Sequence, residues 1–375
     1  MTLDGTRVLV VGGGFSGLSA AIALARTGCT VELVERQERW TMDGAGISIG
    51  SATLRALDNL GVLGQFFEHG AGVDGTEVRT PAGDVLTSHP SQRLVSPDLP
   101  GNGAIMRPLL GRILVEAAEA AGAHLRLGMT AEVLTDTDAH VEVGLSDGTR
   151  ATYDLVVGAD GISSTMRERL LPDAPRPQFS GQGAWRAIVP RPAGVDRTII
   201  WVGATKVGVN PISATEMYLF VNENATARER VTDDELLPRL RALIEPFPDP
   251  LLKDALASLG DDSLVLYRPM DNLLVPLPWH RGRAVLIGDA VHATTPHLAA
   301  GAGIGIEDAI VLAEELAAAS TVEDGLTAFE SRRWERCRMV VESSARLGEL
   351  EATPGNAEEH ARVQGESFRA LAEAI

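Results

Sequence analysis

The chain of 375 residues has few of the features that mark several common classes of protein. Its two cysteines, Cys29 and Cys337, form no metal-binding or disulfide motif and favour a reducing compartment. No apolar run approaches the length of a bilayer span, and no charged-then-apolar leader precedes the first predicted strand. We therefore expect a soluble, cytoplasmic protein.

Basic residues are also scarce, because 33 lysines and arginines face 51 acidic residues and leave a net charge of −18. This charge argues against nucleic acid and anionic membranes as partners. Only two of the basic residues are lysines, Lys206 and Lys253, so a lysine in an unusual place merits a closer look. The length of 375 residues is enough for two domain-sized units with buried cores, and a hydrophobic content of 45% indicates a globular chain.

The order of predicted elements indicates an α/β protein with an interruption. "TRVLVV", the amphipathic "LSAAIALARTG" and "TVELVER" predict a βαβ unit with buried parallel strands. "AEVLTDTDAHVEVGLSDGTRATY" predicts a meander, and residues 181–267 predict antiparallel strands rich in aromatic and β-branched residues. The apolar strand of "RAVLIGDA" then returns before helices dominate. A parallel nucleotide-type domain is thus interrupted by a sheet domain and resumes after it.

The segment Gly12–Gly17, GGGFSG, has G-x-G-x-x-G spacing between the first strand and the first helix. Gly12 permits the tight turn, Gly14 lets the backbone approach a pyrophosphate, and Gly17 allows close packing of helix on strand. Glu35 ends the second strand, at the distance expected of a carboxylate that binds ribose hydroxyls. This pattern predicts dinucleotide binding, but NAD and FAD enzymes share it.

Two further motifs favour FAD. "GADGISSTMR" places an Asp-Gly pair after one apolar strand, and "GRAVLIGDAVHATTP" places Gly-Asp after another. Three strand-end sites exceed what a nicotinamide dinucleotide needs, whereas extended FAD can use all of them. In this order, over residues 1 to about 345, the motifs resemble the single-component (group A) FAD-dependent aromatic hydroxylases. Salicylate, 3-hydroxybenzoate, p-hydroxybenzoate and FAD-dependent urate hydroxylases belong to that family.

The resemblance implies an α/β fold with a Rossmann-like FAD-binding domain and an interleaved, mainly antiparallel β-sheet substrate domain. The FAD-binding domain would comprise residues 1–78, 103–180 and 272–345, and the substrate domain residues 79–102 and 181–271. Residues 346–375 would form a helical tail, and the protein would be a monomer or a homodimer.

The activity implied by the resemblance is a monooxygenase reaction of the EC 1.14.13 type, with tightly but non-covalently bound FAD. NAD(P)H and O2 would be consumed to hydroxylate an aromatic or heteroaromatic small molecule through a flavin C4a-hydroperoxide. Two alternatives stay open on the same fold. One is an epoxidase or Baeyer–Villiger-type oxygenase of natural-product metabolism, and the other is a catalytically silent FAD-binding protein.

The resemblance also implies roles for individual residues around FAD. The glycine-rich loop would hold the pyrophosphate, Asp289 the ribityl hydroxyls, and Arg107 the flavin side of the cofactor. Asp160 would either link FAD and NAD(P)H binding or buttress the loop, and Arg107 could alternatively be a solvated helix-start arginine. The full expected set of cofactor contacts is Gly12, Gly14, Phe15, Ser16, Gly17, Glu35, Arg36 and Ala131 (both near adenine), Arg107, Asp160, Asp289, Pro296, Ala299, Ala300, Gly301 and Ala302.

The small residues Ala299–Ala302 would begin a helix behind the flavin ring, where free backbone amides stabilise negative charge on reduced flavin. The family often has Gln where this chain has Ala300. That departure removes a side-chain contact but keeps the backbone donors.

Two histidines flank a Thr-Thr-Pro turn in this region, but their spacing and ligand count do not suit zinc. We expect no metal. His292 matches a family histidine that is normally structural. His297 follows the proline expected against the flavin, so it could hydrogen-bond a substrate hydroxyl or accept its proton, or merely line the rim.

Three residues of the predicted sheet are candidates to contact the substrate. Lys206 interrupts an apolar strand and could bind a carboxylate or phenolate, or lie at a strand edge in solvent. Tyr218 shares a strand face with Glu216 and Phe220, and its alternative is a core position. Arg186 in "GAWRAIVP" is the third candidate.

Overall fold

The computed structural model describes residues 3–42, 44–137, 139–353 and 355–375. The strands are β1 (Arg7–Val11), β2 (Thr30–Glu35), β3 (Gly46–Ile49), β4 (Ala71–Val73), β5 (Gly75–Arg79), β6 (Val85–Pro90), β7 (Asn102–Met106), β8 (His124–Leu127), β9 (Ala131–Asp136), β10 (Val141–Leu145), β11 (Arg150–Tyr153), β12 (Leu155–Gly158), β13 (Gln178–Pro190), β14 (Thr198–Val202), β15 (Lys206–Pro211), β16 (Glu216–Asn224), β17 (Val265–Asn272), β18 (His280–Arg281) and β19 (Ala284–Leu286).

The α-helices are α1 (Phe15–Arg26), α2 (Ser51–Asn59), α3 (Leu63–His69), α4 (Arg107–Ala120), α5 (Thr165–Leu170), α6 (Asp233–Ile244), α7 (Pro250–Ala257), α8 (Asp289–His292), α9 (Gly301–Ala318), α10 (Val322–Ala352) and α11 (Ala357–Ala372). A single 3-10 turn, Pro296–Leu298, lies between α8 and α9 in the described chain.

The first sheet is the parallel sheet that the sequence predicts, with β18 added antiparallel at its edge. Its strand order is β18-β19-β12-β1-β2-β8, and β1 pairs in parallel with β2 on one side and with β12 on the other. The strands are continuous apolar runs because helices cover the sheet, and Val8, Leu9 and Val10 of β1 have no exposed surface. The carboxyl ends of β1, β2, β12 and β19 therefore meet at one edge.

The predicted meander is confirmed as the antiparallel three-stranded sheet β11-β10-β9. The predicted antiparallel strands form a seven-stranded sheet with the order β17-β13-β16-β15-β14-β5-β6. One face of this sheet packs its apolar side chains under α6 and α7. The interleaved α/β fold class is therefore confirmed.

The limits of the units differ from the expected ones in two places. The whole of β5 lies in the seven-stranded sheet, where it pairs in parallel with β14, so a division at residues 78/79 cuts this strand. Its half-buried, mixed side chains give no apolar run to mark it in the sequence. Likewise, a tail starting at residue 346 cuts α10, which runs without a break to Ala352.

Helix α10 connects the two sheets. Near its start, Glu330 accepts backbone hydrogen bonds from Trp279 and His280 beside the parallel sheet. Near its end, Gly348 lies against Gln182 of β13 in the seven-stranded sheet. Helix α11 packs back on α10 and also contacts α2 and the 3-10 turn at Pro296–Leu298.

Candidate active site

The glycine-rich loop between β1 and α1 has the geometry that its spacing predicts. Gly12 has φ of +109°, and a Cβ there would lie 2.4 Å from the carbonyl oxygen of Ala159. A Cβ on Gly17 would lie 1.9 Å from the carbonyl oxygen of Gly12, so helix and loop are in contact. Gly14, by contrast, caps α1 and has nothing within 4 Å of its Cβ position. The first amides of α1 therefore face open space, as an anion-binding loop requires.

Glu35 is held at the end of β2 by the loops beside it. Its Oε2 atom accepts a hydrogen bond from the Gly13 amide at 2.7 Å, and its Oε1 atom accepts one from Gln37 at 2.9 Å. The carboxylate is thus fixed next to the glycine-rich loop, where the ribose was expected. Arg36 is exposed, and Ala131, at the start of β9, is buried with its carbonyl bonded to Arg169.

Asp160 stabilises a helix start. One of its oxygens accepts hydrogen bonds from the backbone amides of Thr165 at 2.8 Å and Met166 at 3.1 Å, and the other accepts one from the Ser164 hydroxyl. Because a carboxylate at this position satisfies the free amides of α5, the buttressing role accounts for both oxygens.

Asp289 is a carboxylate without a protein partner in the described chain. It follows Gly288, whose φ of +61° and close approach to Ser16 bring β19 against the start of α1. The side chain is open to the cleft but enclosed by protein on its other sides, and this burial raises its pKa, against the effect of Arg107.

Arg107 begins α4 on the other side of the same cleft. Its guanidinium lies over the ring of Phe15, 5.0 Å from the ring centroid, and finds no hydrogen-bond acceptor elsewhere in the described residues. Burial lowers its pKa, and the neighbouring Arg186 lowers it further. A desolvated cation without an acceptor is costly to the fold, which indicates that a ligand supplies the acceptor.

The turn after α8 gives the small-residue segment a defined position. Pro296 is exposed to the cleft, and Ala299 has φ of +50°, the one positive value among described non-glycine residues. Ala300 caps α9 without a side-chain hydrogen bond, and Gly301 and Ala302 are half-buried in its first turn. The first amides of α9 thus point past small side chains, as expected for a surface that receives an anionic ring.

His292 lies in a buried ion-pair network. Its Nε2 atom is 2.6 Å from Asp308, and Asp308 also accepts hydrogen bonds from the Gly288 amide and Arg333. Burial alone would lower the pKa of His292, but Asp308 raises it well above its usual value. Although His292, Asp308 and Cys337 are close enough to share an ion, the carboxylate is already satisfied by protein donors. The arrangement therefore fits a structural ion pair.

His297 is enclosed instead of lining the open cleft. Its side chain has no exposed surface, its Nδ1 atom is 2.8 Å from the Thr295 hydroxyl, and Gly348 of α10 packs on its ring. Its Nε2 atom lies 3.3 Å from Oε2 of Glu351, near enough for an ion pair but not aligned as a hydrogen bond. Burial lowers the pKa of His297, so the ring is neutral at pH 7.

The second face of the seven-stranded sheet, here called the inner face, looks towards the cleft. Arg186 and Tyr218 lie on it and are joined by a hydrogen bond from Nε to the phenolic oxygen at 2.8 Å. Phe220, also on this face, is half-buried and lies over Gly208. Lys206 is at the other end of the face, paired with Glu351.

Residues 5–344 match the family described as FAD binding domain. The chain belongs to the FAD-dependent monooxygenase family. It is 33% identical to the putative FAD-dependent monooxygenase YetM of Bacillus subtilis (98% of this chain, 99% of YetM). Two further relatives are each 32% identical to it. These are 2-heptyl-3-hydroxy-4(1H)-quinolone synthase of Pseudomonas aeruginosa (92% and 90% covered) and salicylate hydroxylase of Pseudomonas putida (92% and 86%).

The fold of the monooxygenase is also that of a solved relative. Klebsiella pneumoniae HpxO, in complex with FAD and uric acid, superposes with a TM-score of 0.81 over 99% of this chain and 93% of HpxO, at 23% identity. In the part of the chain that the structure describes, no helix is both long and apolar enough to cross a membrane.

FAD is the cofactor of this monooxygenase, and the cleft fits it. Gly14 leaves space beside the first amides of α1, and Asp289 and Arg107 present a carboxylate and a guanidinium without hydrogen-bond partners in the described residues. The start of α9 adds free amides across the cleft. A dinucleotide with a phosphate pair, a chain of hydroxyls and an anionic ring would satisfy each of these groups.

Two residues of the monooxygenase site are not apparent from its sequence. Glu351 comes from the end of α10, and His360, from α11, places its Nε2 atom 3.2 Å from Glu351. No motif or spacing marks either residue, because helix periodicity alone gives them ordinary polar positions. Their places follow only from the docking of the last two helices.

Proposed function

We propose that this monooxygenase consumes NAD(P)H and O2 to hydroxylate an aromatic or heteroaromatic small molecule in the cytoplasm. One substrate C–H bond becomes C–OH, NAD(P)H is oxidised to NAD(P)+, and the second oxygen atom leaves as water with one added proton. The similarity to a quinolone synthase and a salicylate hydroxylase supports this substrate class. Bound FAD supplies the redox chemistry, namely acceptance of the hydride and activation of O2.

The hydrogen-bonded pair Arg186–Tyr218 carries the substrate assignment. These two side chains lie on the inner face, with the Arg186 charge near enough to Arg107 to lower its pKa, so they border the region where the flavin end of FAD is expected. A guanidinium and a phenol together bind a carboxylate, phenolate or carbonyl oxygen. Phe220 beside them offers an apolar surface for a ring.

The chain's own residues orient the substrate and keep water out. Arg186 and Tyr218 hold an oxygen of the substrate, which fixes one ring edge relative to the cofactor. Apolar neighbours of Tyr218, namely Ala45, Ala104 and Ile212, are fully or almost fully buried and close this end of the face. A dry pocket favours oxygen transfer over loss of hydrogen peroxide.

A panel of aromatic and heteroaromatic acids, phenols and quinolones tests this function. With the FAD-loaded protein, we expect one class to accelerate oxidation of NADH or NADPH, with hydroxylated product accounting for most of the reductant. Arg186→Met should raise KM for the active compound by about 10- to 100-fold, since a charge-assisted hydrogen bond is lost. Arg112→Met, at an exposed site on α4, is the matched control.

Two results would contradict this proposal. If no compound of the panel accelerates NAD(P)H oxidation although FAD is fully bound, the hydroxylase proposal fails and the silent FAD-binding alternative gains support. An unchanged KM for Arg186→Met would remove this residue from the substrate site.

A further inference from the structure

The inner face has polar groups at both ends and an aromatic surface between them. On β16, Tyr218, Phe220 and Asn222 point to this face, and Asn222 lies opposite Lys206 of β15. Asn222 follows Tyr218 by four positions, which is about 13 Å along an extended strand. That length matches an aromatic ring system with a substituent at each end.

The Arg186 end has unmatched positive charge. Arg186 donates to the neutral Tyr218 hydroxyl, and among the described residues no carboxylate forms an ion pair with it. The nearby Arg107 adds charge of the same sign. An anionic or strongly polar oxygen is therefore favoured at this end.

The Lys206 end has its charge neutralised from within the protein. Lys206 forms an ion pair with Glu351, and only 17% and 12% of the two side chains are exposed. Glu351 also lies 3.3 Å from His297 and 3.2 Å from His360, and accepts a hydrogen bond from Asn222 at 3.4 Å. Burial alone would raise the pKa of Glu351, but Lys206 and the two histidines lower it below its usual value. The carboxylate is therefore ionised at pH 7.

We propose that Glu351 determines substrate specificity by neutralising Lys206, so that the site takes aromatic compounds with an oxygen anion or carbonyl at one end and an uncharged substituent at the other. The charged oxygen binds Arg186 and Tyr218, and the uncharged substituent lies against the pair Lys206–Glu351. This inference rests on the proposed function, because it needs an aromatic ligand on the inner face.

The neutral pair discriminates against charge of either sign. A carboxylate at this end would have to compete with Glu351 for Lys206, and an ammonium would compete with Lys206 for Glu351. Removing one partner exposes the other as an unmatched, half-buried charge, which then attracts a ligand of opposite sign. Each single substitution should therefore change the preferred ligand, and in opposite directions.

Three para-substituted benzoates test the proposal on the FAD-loaded, full-length protein. Monomethyl terephthalate, terephthalate and 4-(aminomethyl)benzoate share one carboxylate for Arg186 and carry a neutral, negative or positive group at the other end. Dissociation constants follow from the change in FAD absorbance or from calorimetry, and need no turnover. The unsubstituted protein should bind the monomethyl ester at least about tenfold more tightly than either charged probe.

Glu351→Gln should increase the affinity for terephthalate, relative to that for the monomethyl ester, by about tenfold. Lys206→Met should increase the relative affinity for 4-(aminomethyl)benzoate by a similar factor. The double variant should regain the preference for the ester, because neither charge remains. Glu359→Gln is the matched control, since Glu359 pairs with Arg346 on the exposed side of the same helices.

Opposite shifts in the two single variants support the proposal, and a purely structural role of Glu351 would weaken all three probes equally. The proposal is overturned if the ratios of the probe affinities in Lys206→Met stay within about twofold of those of the original protein. This result would count even if Glu351→Gln fails to fold. Failure of the original protein to bind any of the probes also overturns it. If the shifts occur but no aromatic compound is hydroxylated, the specificity role stands and the proposed reaction fails.

Discussion

At the scale of single residues, the cofactor site is marked by groups whose hydrogen-bonding capacity the protein does not use. Glu35 and Asp160 have both carboxylate oxygens bonded to backbone amides or a hydroxyl. Asp289, which is exposed to the cleft, and the half-buried Arg107 have no hydrogen-bond partner in the described chain. These two groups keep their whole hydrogen-bonding capacity for a ligand, and Glu35 still keeps an acceptor site on each oxygen.

Asp289→Ala should weaken FAD binding by about 10- to 100-fold, because a charge-assisted hydrogen-bond acceptor for the cofactor hydroxyls is removed. The measurement is a titration of the apoprotein with FAD, followed by quenching of flavin fluorescence. Asp261→Ala, at an exposed loop site, is the control. A variant that binds FAD as tightly as the original protein would contradict the assignment of Asp289.

At the scale of elements, the last two helices build one wall of the proposed substrate region. Helix α10 runs for 31 residues from the parallel sheet to the inner face, and α11 returns along it. The end of α11 is held by arginines that donate to its final carbonyls, as Arg55 does to Ala372 and Glu373, and Arg336 to Ala370 and Leu371. Cations suit this position because the carbonyls there carry partial negative charge.

Arg336→Ala should loosen α11 without unfolding the rest of the protein. The substitution removes hydrogen bonds to the carbonyls of Ala370, Leu371 and Glu373 and an ion pair with Glu307, for a local cost of about 1–3 kcal/mol. Hydrogen exchange should accelerate for residues 357–372 before other helices. Arg362→Ala, which removes an exposed pair with Glu366 on α11 itself, is the control and should leave exchange almost unchanged. Equal protection in both variants would show that these arginines do not hold the helix.

At the scale of the whole molecule, one buried charge network joins the strand-end motif to the long helices. Asp308 of α9 accepts hydrogen bonds from the Gly288 amide and from Arg333 of α10, and pairs with His292 of α8. Burial alone would raise the pKa of Asp308, but His292 and Arg333 lower it, while Asp308 raises the pKa of His292. The position of α10, and with it Glu351, therefore depends on charges far from the substrate.

Asp308→Asn should lower the free energy of unfolding by about 3–5 kcal/mol at pH 7, since it leaves His292 and Arg333 without their shared partner. The depressed pKa of Asp308 stabilises the fold above the unfolded-state value, near 3.8, and this contribution declines as the pH falls through the folded value. The raised pKa of His292 stabilises the fold fully below about pH 6.5, and this stabilisation is lost as the pH rises through the folded-state pKa.

The difference in the free energy of unfolding between the original protein and the variant should thus be largest between these limits and shrink in acid. Urea denaturation from pH 3 to pH 9 measures it. A difference that is constant over this range would contradict the network.

The sequence by itself determined the parallel sheet, the antiparallel insertion, the FAD loop and the identity of the cofactor. These depend on neighbours in the chain: periodicity sets which strands are buried, and the spacing of glycines sets how close a phosphate can come. It also placed Asp289 and Arg107 at strand ends, where side chains from different strands converge. The fold class and the family, both confirmed, could be predicted because they depend on these local patterns.

Only the tertiary structure decided what Lys206 and His297 contact. The sequence made both candidates for substrate contact, with a solvent-exposed strand edge for Lys206 and the rim for His297 as alternatives; in the structure both meet Glu351, which is 145 residues from Lys206 along the chain. Such a contact depends on the length and direction of α10 and on the ion pairs that dock it, and no local spacing encodes these. The charge of the proposed substrate region is therefore set by a helix whose own sequence carries no motif.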